Sequence, residues 1–196
     1  MKRLSPMLPA PALAALLLLL AAGTARCDDD PWGKGASWVS LRFGGVKAMY
    51  DHAPNGNVGF GVAYRRMMTN RFSIGASLDA DLIGKYGAAS NVEMPFSFEY
   101  QAHFKWKAPI HPALGAGFSA VYHKIKRSGD DASEIQPGAY GLIALNTAVN
   151  KNTALGLEYR IGTVSTDIET ENPTFGTLPP SSGRMSLKLA ISRVYW

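Results

Sequence analysis

Residues 92–106, VEMPFSFEYQAHFKW, decide the fold that we expect for this chain. Every even-numbered position is apolar, and every odd-numbered position except Pro95 is polar. A strict period of two over this length is typical of a β-strand whose two faces meet different surroundings. The stretch exceeds the roughly five to six residues of an average strand. It matches the about 9–11 residues, plus interfacial ends, of a tilted strand that crosses a bilayer. The pattern therefore predicts a membrane-spanning strand.

The first 27 residues have the pattern of a secretory signal peptide. Two basic residues open the chain, an apolar run covers residues 10–22, and small residues follow. The run is too short for a membrane-spanning helix. Cleavage after Ala25 and cleavage after Cys27 both satisfy the small-residue rule, and Arg26 argues against lipidation of Cys27. We therefore expect export, with residues 28–36 as a short, exposed periplasmic lead-in.

Charge and cysteine content exclude several classes of function. Removal of residues 1–27 takes away three basic residues and no acidic one, so the formal net charge falls from +5 to +2. No basic run remains that would suggest nucleic-acid binding. The single cysteine lies at the edge of the leader, so we expect no internal disulfide. About 169 residues remain, of which residues 37–196 form one predicted domain.

Eight segments of this domain alternate between apolar and polar positions. We predict strands over residues 37–50, 58–67, 71–83, 92–106, 113–126, 137–149, 153–165 and 184–196. The sixth is the weakest pattern, because residues 142–145 are consecutively apolar. In the first, Gly44-Gly45 suggests a bulge after which Val46, Ala48 and Tyr50 resume the apolar face.

The predicted connections alternate between long and short. Long loops are expected at residues 51–57, 84–91, 127–136 and 166–183, with short turns between them. An even number of strands then places both chain ends beside the short turns, as in outer-membrane barrels. The predicted fold class is all-β, an eight-stranded antiparallel up-and-down transmembrane β-barrel.

The size of such a barrel decides which face points inward. An eight-stranded barrel has an interior just wide enough for side chains. The apolar face of residues 92–106 alone carries five bulky aromatics, at 96, 98, 100, 104 and 106, whereas the opposite face of the neighbouring strands is rich in glycine and serine. We therefore expect the apolar face to meet lipid. The alternative is a soluble, lipocalin-like barrel with the apolar face inside.

The charged residues of the strands support the same orientation. A lipid-facing Arg or Lys near the bilayer midplane costs about 2–4 kcal/mol, whereas inward-facing charges of opposite sign can pair. We predict a lumen charge network of five basic and five acidic residues on the polar face: Arg42, Arg65, Lys105, Arg160 and Lys188 with Asp79, Asp81, Glu93, Glu99 and Glu158.

Aromatic residues fall near both ends of the predicted strands. Two such girdles are expected of a barrel that spans a bilayer. We place Trp38, Phe72, Phe104, Trp106, Tyr195 and Trp196 at the short-turn side, and Tyr50, Tyr86 and Tyr122 at the loop side.

The chain resembles the small outer-membrane β-barrel families: the OmpA transmembrane domain, the OmpX/Ail group and opacity-type proteins. The resemblance covers residues 37–196 and rests on repeats such as VGFGVAYRRM (58–67) with TNRFSIGASL (69–78), and on an aromatic-ended last strand (187–196). It implies an outer-membrane location, lipid and lipopolysaccharide as surroundings, and recognition of Tyr195 and Trp196 by the barrel-assembly machinery. Arg193 and Val194 break the ideal alternation of that signal.

The sequence offers no motif for catalysis, a cofactor or a metal. The four histidines are at 52, 103, 111 and 123, and none has a serine two positions later, as PagL-type lipid A deacylases have. His52 lies in a predicted outer loop, but no Asp-Ser pair of the PagP type follows it. His103 and His123, with Glu93 or Glu99, are the only weak candidates for a metal or proton site, and we expect them to belong to the polar interior.

The expected function is therefore non-enzymatic. A closed, salt-bridged barrel would serve envelope structure or surface interaction and adhesion, with acidic outer loops that meet a host or surface partner. The alternatives are a narrow porin-like channel for small solutes and a lipid A-modifying barrel enzyme.

Overall fold

The computed structural model describes residues 30–49, 57–86, 89–104, 109–127, 130–165 and 181–196. These residues form eight strands: β1 (Ser37–Met49), β2 (Asn57–Met67), β3 (Phe72–Tyr86), β4 (Ala89–His103), β5 (Ile110–Arg127), β6 (Asp130–Asn150), β7 (Thr153–Ser165) and β8 (Ser181–Tyr195). Each strand pairs antiparallel with its sequence neighbours, and β8 pairs back onto β1, so the sheet closes. The predicted eight-stranded up-and-down barrel is confirmed.

The two ends of the barrel differ in their connections. Ser37 pairs with both Arg66 and Tyr195, so the start of β1 lies beside the end of β2 and the end of β8. We call this end of the barrel the turn end. It holds the start of β1, the end of β8 and the connections at residues 68–71, 104–109 and 151–152. The opposite end, the loop end, carries the connections at residues 50–56, 87–88, 128–129 and 166–180. The start of β1 and the end of β8 therefore lie at the same end of the barrel, as predicted, and the two longest connections, 50–56 and 166–180, lie at the opposite end.

Two of the predicted long loops are instead extensions of hairpins. β3 continues to Tyr86, which pairs with Ala89 at the start of β4. β5 continues to Arg127, which pairs with Asp130 at the start of β6. The expectation of loops at 84–91 and 127–136 is wrong because backbone pairing there continues into polar sequence. Alternation detects a strand only where its two faces meet unlike surroundings.

The register of β1 is continuous through the two glycines. Gly44 and Gly45 pair with consecutive residues of both neighbouring strands, so the predicted bulge is wrong. Val46 and Ala48 consequently keep the inward parity and are buried against Ile83 inside the barrel. These three apolar side chains pack against one another, so the lumen contains an apolar patch near the loop end.

β6 is regular where the sequence pattern is blurred. Leu142 and Ala144 are buried inside, whereas Ile143 and Leu145 are about half exposed on the outer wall. The blur arises because the two inward residues are also apolar and pack with Ala113. A register shift occurs only near the turn end, between Ala148 and Asn150.

The outer wall of the barrel is apolar, and the inner wall is mainly polar. Phe118, Ile135 and Leu41 have the most exposed large apolar side chains, at 76%, 69% and 66%. The strand that decided the prediction behaves in the same way, because Phe98 and Tyr100 are exposed while the intervening Glu99 is buried. The predicted orientation of the two faces is confirmed. Among the described residues, no helix is long and apolar enough to cross a membrane.

Candidate functional site

The interior of the barrel holds most of the charged residues singled out from the sequence. Lys105 lies outside the described residues. The other nine point inward and have at most 12% of their side-chain surface exposed. They are Arg42, Arg65, Asp79, Asp81, Glu93, Glu99, Glu158, Arg160 and Lys188. Each contacts a charged group of opposite sign in the lumen.

Two carboxylates at the centre of the lumen bind three guanidinium groups. Glu158 Oε1 lies 2.8 Å from Arg65 Nη2, and its Oε2 lies 3.3 Å from both Arg42 Nη1 and Arg160 Nη2. Glu99 accepts from Arg65 Nη2 at 2.9 Å and from Arg160 Nη2 at 2.6 Å. Because Arg65 and Arg160 each bridge both carboxylates, the four side chains form one unit that crosses the lumen.

The network extends from this centre toward the loop end. Arg42 Nη2 donates to Asp79 Oδ2 at 2.5 Å, and Asp79 Oδ1 lies 3.0 Å from Lys188 Nζ. Lys188 Nζ also donates to Asp81 at 2.6 Å. These contacts continue the chain of alternating charges along the inner wall from β1 to β3 and β8.

Arg184 is a charged lumen residue that sequence reasoning missed. Its guanidinium donates to both carboxylate oxygens of Glu93, from Nε at 3.0 and 2.9 Å and also from Nη2. Arg184 is the first residue of the predicted last strand and has the same parity as Lys188, so counting the inward positions back to the start of that strand would have found it. Five basic groups then face the five predicted carboxylates among the described residues.

Small residues leave the space that the charges occupy. A Cβ on Gly61 would lie 2.1 Å from Asp79 Oδ1 and 2.6 Å from the Leu78 carbonyl oxygen. A Cβ on Gly117 would lie 2.5 Å from the ring of Tyr140. That ring lies 4.9 Å from the Arg160 guanidinium, and its hydroxyl donates to Glu99 at 3.2 Å. The glycine-rich inner face therefore makes room for buried polar groups in a narrow barrel.

The turn end is closed by the residues that precede β1. Trp32 is 4% exposed, stacks on the His111 ring with 3.7 Å between centroids, and meets Trp38 edge-on at 5.7 Å. Trp38 Nε1 donates to the Pro31 carbonyl at 2.8 Å. The expectation that this lead-in is exposed is therefore wrong at Pro31–Gly33, because its tryptophan finds apolar partners in the barrel mouth.

Backbone contacts hold this closing segment in place. Gly35 N donates to the Met67 carbonyl oxygen at 2.7 Å, and Met67 N donates to the Ala36 carbonyl oxygen at 2.8 Å. Gly35 has a φ of 91°, a conformation that glycine adopts without a Cβ clash. Trp32, Trp38 and Met67 form an apolar cluster against which Trp196 packs.

This cluster corrects the predicted turn-side girdle. Trp38 points inward and is 1% exposed, so it is not a girdle residue. Phe72, Phe104 and Tyr195 are 38–49% exposed at this end, as expected. Trp106, Tyr50 and the side chain of Tyr86 lie outside what the structure describes, and Tyr122 is half-buried near the loop end.

A cavity of about 80 Å³ lies in the half of the lumen nearer the loop end. Its polar lining includes Asp79, Asp81, Glu93, Arg160, Arg184 and Lys188. These six side chains also form the ion pairs described above, so the charge network is one wall of the cavity. A polar cavity of this size is large enough for several water molecules.

The histidines are dispersed through the structure. His103 Nε2 lies 2.8 Å from Ser73 Oγ near the turn end, and both side chains are buried in the lumen. His123 Nε2 lies 2.6 Å from Asn91 Oδ1 near the loop end and 4.0 Å from Glu93. His52 lies outside the described residues. No group of three metal-ligating side chains occurs within the described part of the chain.

The comparisons with known proteins agree on the architecture. No protein-family model matches the sequence, and a search of curated proteins finds no significant relative. Among solved structures, Neisserial surface protein A matches with a TM-score of 0.65 and 17% identity, covering 81% of this chain and 99% of that one. The fold is that of the small outer-membrane β-barrels.

Two further solved barrels support the same assignment. The N-terminal β-barrel domain of Pseudomonas aeruginosa OprF matches with a TM-score of 0.59 at 10% identity, covering 83% of this chain and 99% of that one. Ail, the attachment invasion locus protein of Yersinia pestis, matches with a TM-score of 0.58 at 14% identity and the same coverage. The resemblance expected from the sequence is confirmed at the level of the fold.

Proposed function

We propose that this chain is an integral outer-membrane protein whose closed, salt-bridged barrel serves the structure of the envelope and presents loops at the cell surface. The observation that carries the proposal is the apolar outer wall, on which Leu41, Phe118 and Ile135 are at least 66% exposed. In water such a wall would be a large aggregation-prone patch. In a bilayer it faces hydrocarbon, while closure of the sheet leaves no unpaired strand edge in the lipid.

The two ends then acquire an orientation. In outer-membrane barrels the first and last strands begin and end on the periplasmic side, and the longest loops lie on the outer side. Here the start of β1 and the end of β8 lie at the turn end, and the longest connection, residues 166–180, lies at the loop end. The turn end is accordingly periplasmic, and Tyr195 and Trp196 lie where the barrel-assembly machinery would read them during insertion. The secretory leader supplies the export that this location requires.

A closed lumen is favoured over a through-channel because two obstacles lie in series. The unit formed by Arg65, Arg160, Glu99 and Glu158 crosses the middle of the lumen. Trp32 fills the turn end. Both must move before an ion passes from one side to the other.

Planar-bilayer recording tests the closed lumen. Purified protein whose insertion is verified by its heat-dependent gel mobility should give no steady conductance. A reproducible open state would instead favour the second candidate, a narrow channel. The observation on which that candidate depends is the charged cavity of about 80 Å³ on the loop side of the network.

Surface interaction is the second part of the proposal, and charge restricts the partner. Residues 166–183 contain Asp167, Glu169 and Glu171 and no Lys or Arg. Ail has been solved in complex with the heparin analogue sucrose octasulfate, but an acidic loop repels a sulfated polyanion. Divalent cations that bridge lipopolysaccharide, or a basic host surface, suit it better.

Loop variants separate these roles. Deletion of residues 166–183 should reduce attachment of cells to a basic surface while the heat-dependent mobility of the barrel persists. Replacement of the three acidic residues by Asn or Gln is the matched variant, because it keeps the length of the loop. Full attachment by both variants would contradict an adhesive role.

A further inference from the structure

The turn end has a basic collar on the outside of the barrel. Five described basic residues lie there: Lys34, Arg66, Arg71, Lys151 and Arg193. All are exposed except Arg66, which is half-buried. Among the described residues of this end, Asp30 is the one acidic side chain. The collar is therefore net positive, and its formal charge is separate from the balanced charges inside the lumen.

Strand pairing places these residues along one continuous side of the rim. Arg66 on β2 and Arg193 on β8 both point outward and flank β1. Strands are about 4.8 Å apart, so the two arginines are separated by roughly 10 Å of wall. Lys151 adjoins β8, because Val194 N donates to the Asn152 carbonyl at 2.8 Å.

The other two members lie on the far side of Arg66. Arg71 lies in the connection between β2 and β3, and Lys34 N donates to Asn70 Oδ1 in that connection at 2.8 Å. The collar thus runs from the β6–β7 turn across β8, β1 and β2 to the β2–β3 turn. Exposed Tyr195 and Phe72 lie beside it on the same wall.

An aromatic belt with basic residues at its aqueous edge fits a lipid surface of negative charge. Aromatic rings lie at the level of lipid headgroups, and Lys and Arg at that level attract anionic lipids. Arg66 and Arg193 lie on the outer wall at the turn end, so in a membrane their side chains would contact the surrounding lipid headgroups. We propose that the turn-end collar binds anionic phospholipid, such as phosphatidylglycerol, in the periplasmic leaflet. This inference rests on the proposed orientation of the barrel in the outer membrane.

The tryptophans allow the collar to be tested apart from the rest of the protein. Trp196 is partly exposed at the turn end and is the reporter of lipid there, whereas Trp32 and Trp38 are buried in the barrel mouth and supply a constant background. Trp106 lies outside the described residues and is removed by a Trp106→Phe background. The full chain is reconstituted in phosphatidylcholine vesicles that contain brominated phosphatidylglycerol or brominated phosphatidylcholine as the quencher.

Brominated phosphatidylglycerol should quench the tryptophan fluorescence several-fold more strongly than brominated phosphatidylcholine at equal mole fraction. High salt should reduce this preference for the anionic lipid. Arg66→Gln/Arg193→Gln should lower the relative binding constant by about fivefold for each charge removed. Lys47→Gln/Lys126→Gln, which removes two exposed charges near the loop end, is the matched control and should change nothing. Arg66→Lys/Arg193→Lys should restore the preference, which separates charge from folding.

Equal quenching by both lipids, or an equal fall in the control, would overturn the inference while leaving the barrel proposal intact. An absence of quenching by either lipid, together with no heat-dependent gel shift, would mean that the chain had not inserted, and that result would count against the proposed function itself.

Discussion

Glu158→Gln removes the carboxylate on which three arginines converge. The substitution is almost isosteric, so it leaves the shape of the lumen unchanged and removes one negative charge. Arg42, Arg65 and Arg160 then share Glu99 and Asp79, and the buried network carries one uncompensated positive charge. Breaking a buried ion pair by removing one partner costs about 3–5 kcal/mol. We therefore expect the free energy of unfolding to fall by about that amount.

Urea titration of the protein in vesicles, followed by tryptophan fluorescence and by gel mobility, measures this loss. Glu134→Gln is the matched control, because Glu134 is a partly exposed carboxylate of β6 that lies near the loop end. Its loss should cost less than about 1 kcal/mol. Glu158→Gln/Arg42→Gln restores charge balance and should be less destabilised than the two single variants added together. A loss below about 1 kcal/mol for Glu158→Gln would refute the view that the network stabilises the barrel.

Three further substitutions test packing, lipid exposure and assembly. Gly61→Ala places a methyl group against the Asp79 carboxylate and should lower the free energy of unfolding by about 1–3 kcal/mol. Gly141→Ala, whose methyl group would come no nearer than 4.0 Å to the Gly115 carbonyl oxygen, should stay within about 0.5 kcal/mol. Leu41→Arg should cost about 2–4 kcal/mol in a bilayer, and a neutral effect there would mean that this wall does not face lipid. Tyr195→Ala should lower the yield of protein in the outer membrane without changing the stability of the refolded barrel; an unchanged yield would exclude an assembly signal at this residue.

The alternation of single strands was sufficient to predict the fold. In residues 92–104 the apolar parity faces outward and the polar parity inward, because only a wall with unlike faces supports such a pattern. The size argument settled the direction, since bulky Phe98 cannot share an interior that must hold Glu99.

The remainder depended on contacts between residues far apart in sequence. From the sequence, Trp32 belongs to a polar lead-in, residues 28–36, that is expected to be exposed. Only the folded barrel shows that its ring stacks on His111 in the barrel mouth. Val46 reads as an outward residue because glycines interrupt the pattern, and only the paired register of β1 reveals its parity. Arg184 is the first residue of a predicted strand, and its partner Glu93 is 91 residues away in the sequence.

The charge network shows the same limit on a finer scale. The sequence identified which charges share the inner face, because parity follows directly from spacing. It did not identify the convergence on Glu99 and Glu158, since strand stagger decides which inward residues lie at the same depth. Tyr140, which donates to Glu99, escaped attention because its own strand had the weakest pattern.

The most direct test of the central claim is the gel mobility of the protein from an outer-membrane fraction in SDS, with and without boiling. A closed barrel that resists detergent should migrate faster without boiling and shift to its full apparent mass after it. Identical mobility in both lanes, with the protein recovered from the soluble periplasm, would contradict the account, because the apolar wall would then have to lie inside a soluble barrel.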